Sequence, residues 1–528
     1  MADALASEPT SYWKSLSLQR GVLLAALIPL SISLVLRFLM IGGPPCTDEG
    51  SYVAIGMHRG LQARPLAPVG LYPLLVVQGF GVSPEAPLFR PRVVDAIVAA
   101  IGAGLLGFFL YRMSNAWIAT LVTSAYVVVV NQYVNFGFRN SITAATALLL
   151  LSLILIQSKS LRAMFIAGLL IPFVALLREP MIFVPIPILA YAFVQQRWRG
   201  AAWCLAGMVI GGLLGLSLLH FISGSVGETL IAFQKQVGVF KVLPSSGAMV
   251  TQTAFRFISA QWWFLIPAVI AIPLTIYYKR FGTLIVAALF LAIIAPEVFS
   301  KCPVMYHFAQ GCLACSLLIA VGLYQALELW KSQNENRMPR VALGIAAGLL
   351  TLSAAWGIYQ STHGYSEMAR QSRHFYPIMV DGNWDNSLKE EDFYLLLADK
   401  LRTNANPDDR MIVSGHYWVL YPLTKMEPAD LEYPELTFAS HATEDDFQAL
   451  CERLRSQPPE FFVETYRETQ EARFRDIWPE FDDQYEVMLD VPINPAIRYG
   501  IFGGRIWQKK SSNASINVAA KDDALPAR

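Results

Sequence analysis

Thr47-Asp48-Glu49-Gly50-Ser51-Tyr52 sets two adjacent carboxylates directly behind Pro44, Pro45 and a long apolar stretch. One reading is a polar loop start whose charges face water. The other is a general base at a membrane surface, where partial desolvation raises a carboxylate's pKa toward the value that proton abstraction needs. A second set of residues is cationic. Arg139 precedes one apolar run, Arg178 lies in the break Leu177-Arg178-Glu179-Pro180, and Lys301 and His307 bracket Cys302-Pro303-Val304-Met305-Tyr306. Each could anchor its helix end to lipid headgroups. Converging on one cavity, an Arg, a Lys and a His would hold a phosphate or pyrophosphate. Asp95 and Glu297 are further acids in apolar runs, and Asp95 follows Arg90 and Arg92 closely enough to predict a local salt bridge. There is no Walker loop, no G-x-G-x-x-G opening a helix in a soluble part, and no H-E-x-x-H, so ATP-driven transport and zinc proteolysis find no support.

The elements that must position these residues are apolar. Of 528 residues, 54% are hydrophobic and 15% charged, and the mean hydropathy is +0.42. Soluble domains carry roughly a quarter charged residues, so an ordinary soluble enzyme is excluded. The net charge of +1 gives no basic field for nucleic acid. A membrane-spanning helix needs about 17–25 apolar residues. About eleven stretches qualify, near 20–41, 92–112, 115–132, 141–158, 162–177, 181–197, 201–223, 262–278, 283–299, 307–330 and 341–359. The first is too long for a cleaved signal peptide. Lys14 and Arg20, Lys159 and Arg162, Arg197 and Arg199, Lys279 and Arg280, and Lys331, Arg337 and Arg340 alternate onto one side. The positive-inside rule makes that side cytoplasmic. The acid pair, the cationic set and everything after residue 360 then face outward. Outer loop 42–91 contains Leu71 to Gly79, too short to span and read as a surface helix. Outer loop 224–261 ends at Trp262 and Trp263, which suit an interfacial anchor.

After residue 361 the composition turns polar. Helical spacing marks 389–402, 443–455 and 467–476, a short apolar run lies at 411–414, and strand-like runs lie at 460–464, 485–491 and 501–508. Alternating helix and strand predicts a small α/β domain. Gly415-His416-Tyr417-Trp418 reads better as a packed turn than as a ligand site. The division expected is a cytoplasmic N-terminus over 1–19, a membrane domain over 20–360, an outer α/β domain over 361–510 and a disordered tail over 511–528. Cys204, Cys312 and Cys315 lie in spans and read as packing residues. Cys46 and Cys302 both fall on the outer side, where an oxidising compartment permits a disulfide.

Taken together, these features resemble the GT-C-type integral membrane glycosyltransferases that use polyprenyl-phosphate sugars, in particular the group of aminoarabinose transferases and protein mannosyltransferases. Asp48-Glu49-Gly50-Ser51-Tyr52 matches the family's D-E-x-x-Y motif after the first span. Pro68 to Gly79 fits its surface helix, Arg139-Asn140 the opening of the fourth span, Arg178-Glu179-Pro180 its proline break, and Tyr306-His307 its Tyr/His pair. Two departures stand out. Asn140 occupies a position where many relatives carry an acid, and the Glu-Lys-Pro-Pro stretch of aminoarabinose transferases is missing.

The resemblance implies an α-helical polytopic membrane protein, GT-C-like, with a small C-terminal extracytoplasmic α/β domain. It implies an inverting transferase that moves a sugar from a polyprenyl-phosphate donor to a lipid, glycan or protein acceptor at the outer face of the inner (plasma) membrane. Asp48 would be the base and Glu49 its positioning partner. Arg178, Lys301 and His307 would hold the donor phosphate. Tyr52, Arg139, Asn140, Glu179 and Tyr306 would line the cavity. No cofactor or metal is obligatory, although Asp48 or Glu49 leaves room for a divalent ion. Two other classes compete. A flippase of a lipid-linked saccharide would show internal repeats, and none is evident. A surface-polysaccharide polymerase or ligase would favour an outer loop rich in arginine, and loop 224–261 holds one.

Overall fold

The computed structural model describes residues 9–45, 47–58, 80–134, 140–223, 227, 247–299, 311–332, 337–406, 408–413, 418–430, 444–466, 478–494 and 503–510. Helix follows helix through the first three quarters of the chain. These are α1 (Pro9–Leu39), α2 (Thr47–Met57), α3 (Phe89–Tyr111), α4 (Ala116–Val134), α5 (Asn140–Gln157), α6 (Leu161–Leu177), α7 (Pro185–Ser223), α8 (Gly247–Tyr277), α9 (Phe281–Phe299), α10 (Gly311–Ser332) and α11 (Arg337–Met379). Among the described residues five helical stretches are long and apolar enough to cross a membrane, including Arg20–Leu39, Phe89–Tyr111 and Gly311–Lys331. Shorter apolar helices, among them Ile142–Gln157 and Leu161–Leu177, accompany them.

Three boundaries differ from the sequence expectation. The residues after Pro45 do not open a loop; Thr47–Met57 is helical. The stretches expected at 181–197 and 201–223 do stand as two helices within α7, separated by non-helical backbone at Gln196 and Arg197. Helix α8 begins at Gly247, inside the expected outer loop, and Trp263 is buried rather than anchoring at an interface. Helix α11 continues for 20 residues past the expected end of its span, through a polar segment to Met379. Polar residues end a span without ending a helix, because backbone hydrogen bonding inside the helix is indifferent to the surrounding solvent. The expected surface helix over 71–79, the helix over 467–476, Cys46 and Cys302 lie outside the described residues.

Close backbone approach holds α6 to α7. A Cβ at Gly168 would overlap the carbonyl of Cys204, and Gly207 and Gly211 meet Phe165 and Leu169 in the same way. This small-xxx-small spacing is how helices pack where lipid supplies no hydrophobic drive between them. Three of the basic turns carry Lys159, Arg197 and Lys279 at positive φ, a position usually left to glycine.

Beyond α11 the chain builds a five-stranded sheet among the described residues, ordered β2-β1-β3-β5-β4. Its strands are β1 (Arg410–Val413), β2 (Glu427–Pro428), β3 (Phe461–Tyr466), β4 (Tyr485–Val491) and β5 (Gly503–Lys509). β1 is parallel to β2 and β3, while β5 is antiparallel to β3 and β4. The helices α12 (Phe393–Asn404), α13 (Leu420–Thr424) and α14 (Glu444–Ser456) complete the layer, followed by the single turn α15 (Phe481–Gln484). The period-two alternation of strands splits the core. Met411, Val413, Phe461, Val463 and Ile506 face α12 residues Phe393 and Leu397. Ile412, Phe462 and Trp507 face Leu450, Trp478 and Phe481 on the other side. Asp392 caps α12 by accepting from the N–H groups of Tyr394 and Leu395.

Candidate active site

The first two turns of α3 carry Arg92 and Asp95, three residues apart and therefore on one helix face. Both are buried. The guanidinium of Arg92 makes five hydrogen bonds. Nε donates to Glu49 Oε1 at 2.5 Å and Nη2 to Glu49 Oε2 at 2.8 Å. Nη1 donates to the carbonyls of Ile41 and Gly43 at 2.7 and 2.6 Å, and Nη2 to that of Pro44 at 3.3 Å. These carbonyls follow the end of α1, where helix carbonyls lack intrahelical partners. One side chain thus satisfies the exit of the first helix and the acid of the motif that follows it. A bidentate Arg–carboxylate pair fixes angle as well as distance.

Asp95 does not pair with Arg90 or Arg92 as its sequence neighbours suggested. Its carboxylate accepts from Arg37 Nη1 at 2.6 Å and from Thr143 Oγ1 at 2.7 Å. Arg92 is drawn to Glu49, and Arg90 donates to the carbonyl of Phe80. The Arg37–Asp95–Thr143 contact ties α1, α3 and α5 together. Ionisable groups in an apolar layer are costly unless paired in this way. A cavity of about 50 Å³ adjoins Arg37, lined also by Ser33, Tyr126, Thr143 and Thr146.

Helix α2 carries the acid motif. Its buried positions are Glu49, Gly50, Val53, Ala54, Gly56 and His58, the three- and four-residue spacing of an amphipathic face. Glu49 faces Arg92. Gly50, Val53 and Ala54 face the C-terminal domain, where a Cβ at Gly50 would overlap both the backbone and the side chain of Val419. His58 Nδ1 lies 3.0 Å from Glu427 Oε2, and its ring meets Tyr421 edge-on at 6.0 Å. A carboxylate only accepts, so Nδ1 carries the proton. Burial holds His58 below its ordinary pKa against the opposing pull of Glu427. Among the described residues its buried Nε2 has no hydrogen-bond partner.

The other residues singled out from the sequence divide as follows. Asp48 and Tyr52 belong to α2, Asp48 being the chain neighbour of the clamped Glu49. Asn140 is the first residue of α5. Arg178 ends α6 in extended backbone with its side chain buried, and Glu179 opens a 3-10 turn, so the proline break is present. Arg139, Lys301, Tyr306 and His307 lie outside the described residues. The structure adds Arg92, Arg37 and Thr143, which the sequence reading left out. The signal for Arg92 was there: an arginine and an acid one turn apart in an apolar run each need a partner. Among the described residues no group of three His, Cys, Asp or Glu could hold a metal ion. Both oxygens of Glu49 are engaged by Arg92, which makes Glu49 a poor metal ligand.

No family model matches the sequence, and no curated protein matches it. Solved structures do match. ArnT from Cupriavidus metallidurans, bound to undecaprenyl phosphate, superposes with a TM-score of 0.50 at 12% identity, over 95% of this chain and 99% of that one. The archaeal oligosaccharyltransferase AglB from Archaeoglobus fulgidus, in complex with an inhibitory peptide and a dolichol-phosphate, gives 0.51 at 12% identity, over 96% of this chain and 75% of that one. The chain has the GT-C fold. As a GT-C chain with several membrane-length helices it is an integral membrane protein. The GT-C likeness takes in the small C-terminal sheet along with the helices, since nearly the whole chain is covered.

Proposed function

We propose that this chain is a membrane glycosyltransferase that moves a sugar from a polyprenyl-phosphate donor to a glycan, lipid or protein acceptor. About eleven spans place the N-terminus in the cytoplasm and the C-terminal domain outside the inner membrane. The observation that carries this reading is the clamp of Glu49 by Arg92. It fixes an acid motif at the exit of the first helix in a chain of GT-C fold. Both structural relatives hold a polyprenyl phosphate, which supports that donor class here.

Asp48 takes the proton of the acceptor hydroxyl as its oxygen bonds to the anomeric carbon. The bond from that carbon to the phosphate oxygen breaks, and polyprenyl phosphate leaves. A single displacement inverts the anomeric centre. Negative charge grows on the departing phosphate, and Arg178, Lys301 and His307 stabilise it there. Glu49 acts through position, as the anchor of the motif, rather than as a second base. Tyr52, Arg139, Asn140, Glu179 and Tyr306 shape the cavity.

The test compares a deletion strain carrying the wild-type gene, Asp48→Asn or no gene, by mass spectrometry of envelope glycans and lipid-linked sugars. The expected result is that Asp48→Asn matches the empty strain, one glycan lacks a single sugar, and its lipid-linked donor accumulates. In the purified protein the loss in rate should be about 10²–10⁴-fold. Wild-type glycans in the Asp48→Asn strain would remove Asp48 as base and bring the flippase reading forward.

A further inference from the structure

The reading of Asp48 as base leaves open what holds its helix in place. Helix α2 has 11 residues, two of them glycine. Isolated helices shorter than about 12–15 residues are marginal in water, so α2 depends on what it packs against. Its apolar stripe does not join the core formed by the membrane helices. Val53 and Ala54 belong to the same buried cluster as Trp418, Val419, Leu420, Leu397 and Phe393 of the outer domain. The membrane core is a separate cluster, built from α1, α3 and the later spans.

The contact is close and specific. Gly50 admits the backbone of Val419 to a distance that no other residue would allow. One helical turn after Ala54, His58 reaches Glu427 at the start of β2. On the membrane side Arg92 takes hold of the helix through Glu49. Asp48 therefore stands one residue before the anchor to the membrane body and two before the anchor to the outer domain.

We propose that the outer domain is a positioning element for the catalytic base, gripping the Asp48 helix through Val419 at Gly50 and through Glu427 at His58. This rests on the glycosyltransferase reading given above. Proton abstraction needs the base within hydrogen-bond reach of the acceptor, and a misplacement of about 1 Å can cost roughly 10² in rate. Loosening the domain's grip on α2 therefore lowers turnover. Donor binding is spared, because the residues assigned to it lie in other elements. Val419, Gly50 and Val53 are positioning residues in this scheme.

The experiment uses the full-length protein in lipid nanodiscs. The donor is undecaprenyl phosphate carrying the tritiated sugar that accumulates in the deletion strain. Gly50→Ala and Val53→Ala loosen the contact from the α2 side. Leu450→Ala, in the core on the opposite face of the sheet, is the control for general loss of outer-domain stability. Gly50→Ala and Val53→Ala should lower kcat by about 10–100-fold with donor KM within about twofold. Hydrogen exchange at α2 amides should rise while α3 stays protected. Leu450→Ala should retain kcat at temperatures where the domain is folded. The proposal is overturned if kcat is unchanged in both α2 variants, if donor KM rises in step with the loss, or if Leu450→Ala loses as much. It is equally overturned if turnover falls while α2 keeps its protection. Wild-type protein that transfers no sugar would instead defeat the glycosyltransferase reading, and this proposal along with it.

Discussion

The membrane helices and the outer domain are held together by different means. Between α6 and α7 the contact is backbone on backbone, with Gly168, Gly207 and Gly211 where side chains would interfere. Between α1, α3 and α5 it is a buried ion pair with a hydroxyl attached. Large apolar side chains there lie on both sides: Phe109, Phe290 and Trp263 are buried, while Trp117 and Ile186 are 74% and 73% exposed. In the outer domain the large apolar groups point inward. Phe481 stacks on Tyr485 at 4.8 Å and meets Trp478, Phe462 and Trp507 edge-on. Water drives that burial at about 25 cal/mol per Å², whereas lipid offers Leu and Trp nothing to escape from. Large apolar side chains thus mark the interior of one region and both the interior and the exterior of the other.

Breaking each region by its own means sharpens the contrast. The largest effect is expected from Arg92→Ala, which strips five hydrogen bonds and leaves the Glu49 charge buried alone. Removing one partner of a buried pair costs about 3–5 kcal/mol. Thermal unfolding in detergent should register it, with Arg92→Lys intermediate because lysine cannot reproduce the fork. A loss under about 1 kcal/mol would mean that Glu49 finds another partner or water. Leu450→Ala comes next, at about 2–4 kcal/mol for a buried leucine. Its effect should be confined to the outer domain, with faster hydrogen exchange in α14 and β3 and none in α6 or α7. Spread into the membrane helices would show that the two regions unfold as one.

The smallest effect is a pH dependence at the seam between them. Burial holds His58 below its ordinary 6.5, so the unfolded chain binds the proton more readily than the folded one. The contribution to stability is complete above 6.5 and is lost as pH falls toward the lower folded value. Between pH ~8 and ~5 the wild type should therefore lose more melting temperature than His58→Phe does. Equal losses would remove His58 from the account.

Much of the outer domain was legible, because its signals are local. Phe393, Leu397 and Leu401 recur at helical spacing, and Phe461 to Val463 alternate between two cores. β2 was not, since two residues ending in Pro428 carry no periodicity. In the membrane region apolar helices showed through hydropathy, five of them of membrane-spanning length among the described residues, but helix ends did not, as α11 and α8 demonstrate. Of the candidate site, the helix break at Arg178 stands where the sequence put it, and the acid motif lies on a helix rather than in a loop. Asp48 and Glu49 read as a matched outward pair, yet Glu49 is 1% exposed and spoken for by a residue 43 positions away. Pairings of that kind depend on how spans pack, which hydrophobicity does not encode. The break within α7 at Gln196 and Arg197 was legible, because the basic turn between two apolar runs marks it in the sequence.

Helix α11 runs for 43 residues, about 65 Å at 1.5 Å each, against a hydrocarbon layer of about 30 Å. Its far end bears Ser372, which accepts from the N–H of Gly42 just beyond α1, and leads into the outer domain. Along such a rod, length is also phase. One residue more would turn everything beyond it by about 100° and raise it by about 1.5 Å. The α11 helix therefore acts as a key as well as a stalk: its residue count sets the bearing at which the C-terminal domain meets α2 and the other helices.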